Sequence, residues 1–364
     1  VTTSSPGSRL VDAYDLVIFD LDGVIYLVDR PIETAVAAVG RLHAEGKPLA
    51  YATNNASRRP AAVAALLSGM GLAVQPHEVL TSAVAAAGLL ANRFPADSPV
   101  LVVGAEALRA EVRAVGLRPV RRLEDEPVAV VQGYAPEVGW ADLAEAALAV
   151  RAGAEWFATN TDRTLPTARG PVPGNGSLVA VLRTALERDP DVVVGKPEPA
   201  LFTAAARQAG ATRPLTVGDR LDTDIEGAVR AGLDSLLVLT GVTRPVDLLH
   251  APLLARPTYV ATDLGGLFDP AQVARLPGPA PEEAGSTASG PAATGSRVPG
   301  LPIVADNGWQ VTANGETAQL TGSGSSLEAL ATLCAAAWSG RPVDSIEPGS
   351  DAARSALGDL DLLR

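Results

Sequence analysis

The chain is short of several things, and each shortage excludes something. Its 364 residues include one cysteine, Cys334, so it can build neither an intrachain disulfide nor a cysteine metal cluster. That scarcity suits a reducing compartment, and the expected location is cytoplasmic. Aromatics make up only 4%, so the core is expected to be mainly aliphatic. Positive charge is also scarce. With 29 Lys and Arg against 41 Asp and Glu, the net charge is −12, which argues against nucleic acid or an anionic membrane as partner. A local basic patch can still take a phosphate. No apolar run approaches the ~20 residues of a membrane span. The opening VTTSSPGSRL lacks the charged-then-apolar pattern of a signal peptide. What is abundant is Ala, Val, Leu and Gly, in a chain long enough for two domains and more.

One stretch organises the rest: VIFDLDGVIY, Val17 to Tyr26. A short apolar run ending in Asp20 reads as a buried parallel strand that delivers a carboxylate to its C-terminal edge. If the strand continued, Asp20 and Asp22 would share a face and one site. Two carboxylates that close repel unless a cation or a proton relieves them. A strand ending in an ordinary Asp-Gly turn is the plain alternative.

Similar strand ends recur along the chain. A helix is expected from Ile32 to Glu45, then the strand KPLAYATNN, which ends in Thr53 and Asn54. These two side chains can hydrogen-bond a phosphate, or Asn55 or Ser57 can simply cap the next helix. From Thr81 to Asp189 the texture of helix and strand repeats as a second α/β unit, set between two parts of the first. Its last strand ends in Asn160, Thr161 and Asp162, and the loop Gly174-Asn175-Gly176-Ser177 precedes a helix from Leu178 to Glu187. That loop can hold an anion or merely turn the chain. The first unit resumes at DVVVGKPEP, whose apolar run delivers Lys196, and then at PLTVGDRLDTD, which carries Asp219, Asp222 and Asp224. An acid cluster just past a strand calls for a hard divalent cation with oxygen ligands. A helix N-terminus decorated with acids is the alternative.

Parallel strands with crossover helices put their C-terminal ends on one edge, so these residues converge. Carboxylates with Mg²⁺, a lysine and a hydroxyl make a phosphate site, and a carboxylate can attack phosphorus.

Together DLDGV, TNN, GKP and GDRLDTD resemble, in order and context, the four motifs of the haloacid dehalogenase superfamily over residues 14–270. The resemblance implies an α/β fold: a Rossmann-like core with a parallel sheet (12–82 and 191–271) and an inserted α/β cap (83–190). It implies Asp20 as nucleophile and Asp22 as acid and base. Thr53, Asn54 and Lys196 would serve the phosphate, and Mg²⁺ would lie between Asp20, the Asp22 carbonyl, Asp219 and Asp224. The second aspartate separates phosphoryl transfer from dehalogenation. From Thr53 to Lys196 the chain advances 143 positions, room for a cap after the second motif, which argues against a mutase. WFATNTD followed by PGNGSL is similar to the class IIA caps, and Asn160 and Asp162 are candidate substrate contacts there. Where many relatives have Trp then Gly after the first motif, this chain has Tyr26 and then Leu27-Val28-Asp29.

The expected function is hydrolysis of a small phosphorylated metabolite. Glycerol 3-phosphate is favoured on family analogy, with phosphoglycolate and nucleotide monophosphates behind it. A non-catalytic phosphometabolite sensor is the alternative from another class. Residues 272–300, rich in Pro, Gly, Ala and Ser, read as a flexible linker. Residues 301–364 read as a small α+β module: a hairpin turning at Asn314-Gly315, then a helix from Ser326 to Ala337. Its Gln319-Leu320-Thr321-Gly322-Ser323-Gly324 matches the Q-x-x-G-x-G phosphate loop of the GNAT acyltransferases, although the module is too short for a whole one. A truncated GNAT-like piece is therefore an alternative to a packing or oligomerisation module. Self-association through the cap or this module is left open.

Overall fold

The computed structural model describes residues 8–28, 30–167, 169–278, 303–304, 307–340 and 343–363. Its larger sheet has seven strands, in the order Val273–Arg275, Tyr259–Ala261, Asp234–Val238, Pro214–Gly218, Leu16–Phe19, Leu49–Thr53, Val79–Thr81. All neighbours run parallel except the edge strand Val273–Arg275. Leu16–Phe19 lies in the middle, buried throughout. The run is apolar without alternation because both faces are covered. Val17 and Phe19 pack with Val39 and Leu42 of the helix Glu33–Ala44. Leu16 and Ile18 pack on the other side with Ala86, Leu90 and Phe202.

A second, parallel sheet has the order Val192–Val193, Glu155–Ala158, Ala129–Gln132, Pro99–Val103, Arg118–Val120. This corrects one expectation. The run before Lys196 does not rejoin the first sheet; it pairs with Glu155–Ala158 and ends the second. The helix Ser82–Arg93 likewise sends Ala83, Ala86 and Leu90 into one buried cluster with Leu16 and Ile18, and with Val100, Val102 and Val131 of the second sheet. Its small alanines let it serve both sheets at once.

Other differences are local. The first strand stops at Phe19, so strand alternation does not extend to Asp22. The helix expected after Asn55 or Ser57 begins at Pro60 and has no side-chain cap; Asn55 Oδ1 instead accepts from Ser57 N at 2.7 Å in a turn before it. The chain is anchored before Asp12, since Val11 is buried and Arg9 pairs with Asp12 and Glu45. Residues 273–275 form a strand and Leu276 is buried, so 272 is not the start of the linker; residues 279–300 lie outside the described ones.

The C-terminal sheet runs Ile303–Val304, Trp309–Asn314, Thr317–Gly322, Ser345–Pro348. The hairpin forms as expected, but its turn is Gly315-Glu316, one residue later. Helices Ser326–Trp338 and Asp351–Asp359 cover the sheet. Trp309, Leu327, Leu330 and Trp338 share a buried cluster with Leu237, Leu248, Val260 and Ala274 of the larger sheet's unit. Among the described residues, no helix is long and apolar enough to cross a membrane.

Candidate active site

Three chain segments bring carboxylates together. Asp20 follows the central strand, its N–H donating to Val217 O at 2.9 Å. Asp219 follows the neighbouring strand Pro214–Gly218. Asp224 comes from the π-helical turn Leu221–Ile225, and its Oδ2 accepts from Arg220 N at 3.1 Å. Carboxylate oxygens of all three lie within 4.8 Å of one another. Such an approach needs small neighbours. A Cβ at Gly218 would stand 2.1 Å from Asp224 Cβ, and one at Gly241 would stand 2.0 Å from Asp219 Oδ2.

Lys196 enters this cluster with only 3% of its surface exposed. Its Nζ donates to Asp20 Oδ1, to Asp224 Oδ1 at 2.7 Å and to Ala52 O at 3.2 Å. Asn54 holds Lys196 by its backbone. Its Oδ1 accepts from Lys196 N at 2.8 Å and its Nδ2 donates to Lys196 O at 3.1 Å. Nδ2 also reaches both Asp162 oxygens, at 3.1 and 3.2 Å. Thus Asn54 is placed to fix the lysine loop, where direct service to the nucleophile or phosphate was expected. Thr53 is buried beside it, its Oγ1 accepting from Asn55 N at 3.2 Å.

Asn160 and Asp162 do not form an open contact surface. Asn160 is 4% exposed and donates through Nδ2 to Asn54 O at 2.7 Å. It is a joint between the second sheet and the Thr53 loop. Asp162 is half-buried and engaged by Asn54. The Gly174–Ser177 loop is also structural: Gly176 N donates to Asp162 O at 2.8 Å, and a Cβ at Gly176 would stand 2.2 Å from Thr161 O. Asp22 stands apart from the carboxylate cluster, exposed, with the Tyr26 hydroxyl 3.4 Å from its Oδ2.

The electrostatics follow from this crowding. Burial pushes the Asp20 carboxyl well above the usual range, with Lys196 opposing and Asp224 and Asp219 reinforcing. Burial, then Asp224, pushes Asp219 up to about 7. Burial works against charge on Lys196, but Asp20 and Asp224 hold its pKa above the ordinary lysine value. Burial also raises Asp162.

Two contributors escaped the sequence reading. Val242 N donates to Asp219 Oδ2 at 2.6 Å, and Thr240 Oγ1 to Gly23 O at 2.5 Å. The available signal was LLVLTGV, another apolar run ending in a hydroxyl and a glycine, on the strand beside Pro214–Gly218.

Comparisons with known proteins give the family. A family model described as haloacid dehalogenase-like hydrolase matches residues 17–118, and an HAD-hydrolase-like model matches 193–267. A D-glycerol 3-phosphate phosphatase of Mycobacterium tuberculosis is 44% identical over 98% of this chain and 96% of its own length. The chain belongs to the haloacid dehalogenase-like hydrolases. Among solved members of the family, a glycerol phosphate phosphatase from M. tuberculosis in complex with magnesium superposes with a TM-score of 0.83 at 42% identity, covering 98% of this chain and 99% of that one. A p-nitrophenyl phosphatase from Archaeoglobus fulgidus gives 0.64 at 32% identity, covering 70% and 98%.

Mg²⁺, the metal of this hydrolase family, suits the residues present. The donors are three carboxylates, the oxygen set that a hard divalent cation takes. Asp219 Oδ1 is buried and has no hydrogen-bond partner among the described residues, so an acceptor waits there unsatisfied.

Residues 306–362 of this hydrolase match a GCN5-related N-acetyltransferase-like model. Gly322 and Gly324 have positive φ, +112° and +155°, as a backbone loop before a helix requires. The helix N-terminus is already filled by its own capping box. Ser325 Oγ accepts from Glu328 N at 3.2 Å, and Glu328 Oε2 accepts from Ser325 N at 3.0 Å. A carboxylate thus stands where an acyl-CoA pyrophosphate would have to sit.

Proposed function

We propose that this hydrolase is a Mg²⁺-dependent phosphomonoesterase that works through an aspartyl-phosphate on Asp20. The observation that carries the reading is the convergence of Asp20, Asp219 and Asp224 around Lys196. An Asp20 oxygen attacks phosphorus and the bond to the leaving alkoxide breaks. Asp22, exposed and outside the carboxylate cluster, gives that alkoxide its proton. It then takes a proton from water as the water attacks the phosphoryl-aspartate, which frees phosphate and restores Asp20. Lys196 and the Thr53 hydroxyl hold phosphoryl oxygens, and Asn54 keeps the lysine loop in register. Asp20, Asp219 and Asp224, with the Asp22 carbonyl, would hold Mg²⁺, which would compensate negative charge on the transferring group.

In this reading residues 83–190 are a cap that covers the leaving group, and the protein works in the cytoplasm. Glycerol 3-phosphate is the favoured substrate, because the M. tuberculosis relative named for it matches along nearly the whole chain. Asp20→Asn removes the nucleophile and should abolish phosphate release from glycerol 3-phosphate with Mg²⁺ while the circular dichroism spectrum stays unchanged. Full turnover by that variant would overturn the mechanism.

A further inference from the structure

The turn that follows Asp20 is fastened along its whole length. Ile25 N and Tyr26 N both donate to Leu21 O, at 2.8 and 3.2 Å, and Gly23 N donates to Tyr26 O at 2.8 Å. Gly23 has φ +84°, and a Cβ there would stand 2.4 Å from Asp219 Oδ2, so the turn lies directly against the carboxylate cluster. Thr240, just past the strand Asp234–Val238, holds Gly23 O from the other side. Beyond the turn Tyr26 pairs with Pro31, and Leu27 with Arg30, in a two-stranded ribbon. Tyr26 is only 9% exposed and belongs to the same buried cluster as Phe19, Val24 and Val39.

Its hydroxyl is therefore a fixed point, and the group within its reach is the Asp22 carboxylate, with Oδ2 at 3.4 Å. Neither side chain has a second hydrogen-bond or ion-pair partner among the described residues. The clustered carboxylates are held by other groups: Asp20 and Asp224 by Lys196, Asp219 by Val242 N. Asp22 is exposed and has Tyr26 alone. An unrestrained aspartate visits several rotamers, whereas proton transfer needs its carboxyl within reach of one oxygen. A phenol keeps its proton at neutral pH, so Tyr26 donates and Oδ2 accepts. The distance is long for an O–H···O bond, and such catalytic contacts tighten when substrate binds.

Resting on the phosphomonoesterase reading, we propose that Tyr26 is the positioning residue for the proton-transfer aspartate. Its hydroxyl donates to Asp22 Oδ2, which leaves Oδ1 to carry the transferred proton. In the first step that proton passes from Oδ1 to the departing alkoxide oxygen as its bond to phosphorus breaks. In the second, Oδ1 takes a proton from the water whose oxygen bonds to phosphorus and displaces Asp20. Tyr26 touches neither the phosphoryl group nor the alcohol and acts only through Asp22.

The test compares an ester that needs the proton with one that does not, on the full chain with Mg²⁺. The alcohol of glycerol 3-phosphate leaves as an alkoxide, and that of p-nitrophenyl phosphate as a stable phenolate. Both share the later water step, so the quantity compared is kcat/KM, which reports events up to departure of the alcohol. Tyr26→Phe keeps the ring and removes the hydroxyl. It should lower kcat/KM about 10-fold or more for glycerol 3-phosphate and less than about 3-fold for p-nitrophenyl phosphate. An equal fall for both esters would show that the hydroxyl only supports the fold, and no fall for glycerol 3-phosphate would show that it holds nothing; either overturns the assignment. In an Asp22→Ala background, Tyr26→Phe should add less than about 2-fold to the loss on glycerol 3-phosphate, because a residue that acts through Asp22 has nothing left to hold. Full additivity overturns the assignment as well. A wild type that releases phosphate from neither ester sinks the phosphomonoesterase reading and this inference with it.

Discussion

Lys196 shows how much can depend on one side chain. It places a single positive charge among three carboxylates, two of them buried, and accounts for all its donors there. Removing one partner of such a group leaves the others uncompensated, which costs about 3–5 kcal/mol. Lys196→Met should therefore melt well below the wild type without metal. Mg²⁺ should raise its melting temperature more than it raises the wild type's, since the cation then meets carboxylates with no competing ammonium. Thermal melts with and without Mg²⁺ check this; equal melting without metal would show that the lysine compensates nothing. At this scale much was legible. Asp20, Thr53 and Asp219 each end a buried apolar run, a pattern a linear sequence displays. The job of Asn54 was not legible, because its partners are backbone atoms of Lys196, 142 residues further on.

Elements were readable where they were long and periodic. The hairpin Trp309–Gly322 alternates and has a glycine at its turn, and the capping box Ser325 to Glu328 is a four-residue signature. Tyr259–Ala261 and Val273–Arg275 have three residues each, too few to show a period, and only pairing makes them strands. The strand Val192–Val193 was assigned to the wrong sheet because apolar runs look alike whichever partner they meet. The loop into the helix Ser326–Trp338 deserves its own test. At Gly324, φ is +155° and a Cβ would stand 2.6 Å from Trp309 Nε1 and 2.9 Å from Glu328 Oε2. Gly324→Ala should thus strain the backbone and push apart the capping box, costing about 2 kcal/mol or more. The denaturant midpoint should fall accordingly, with phosphate release per folded molecule unchanged. An unaltered midpoint would mean that the loop has slack the geometry does not show.

At the scale of the molecule, the C-terminal module is not a separate body on a tether. Trp338 is buried, donates from Nε1 to Leu248 O at 3.2 Å, and stacks under Arg256, whose guanidinium carbon is 4.9 Å from its ring centre. Around it Leu327, Leu330 and Leu333 meet Leu237, Leu248 and Val260 of the larger sheet's unit, so the apolar face of the module is closed by this same chain. Sequence could show that face but not what covers it, because the covering residues lie before residue 279 and nothing periodic links the two. A shared core implies shared stability. Scanning calorimetry of the full chain should therefore give the module and the larger sheet one common transition. Trp338→Ala removes ring burial, the cation contact and the bond to Leu248 at once, a loss of about 3–5 kcal/mol. It should lower that common transition as a whole. Fluorescence of the buried Trp309 and phosphate release should then be lost together on heating. A variant whose module melts early while phosphate release persists to the wild-type temperature would show that the two units fold independently, and that the seam contributes contact without coupling.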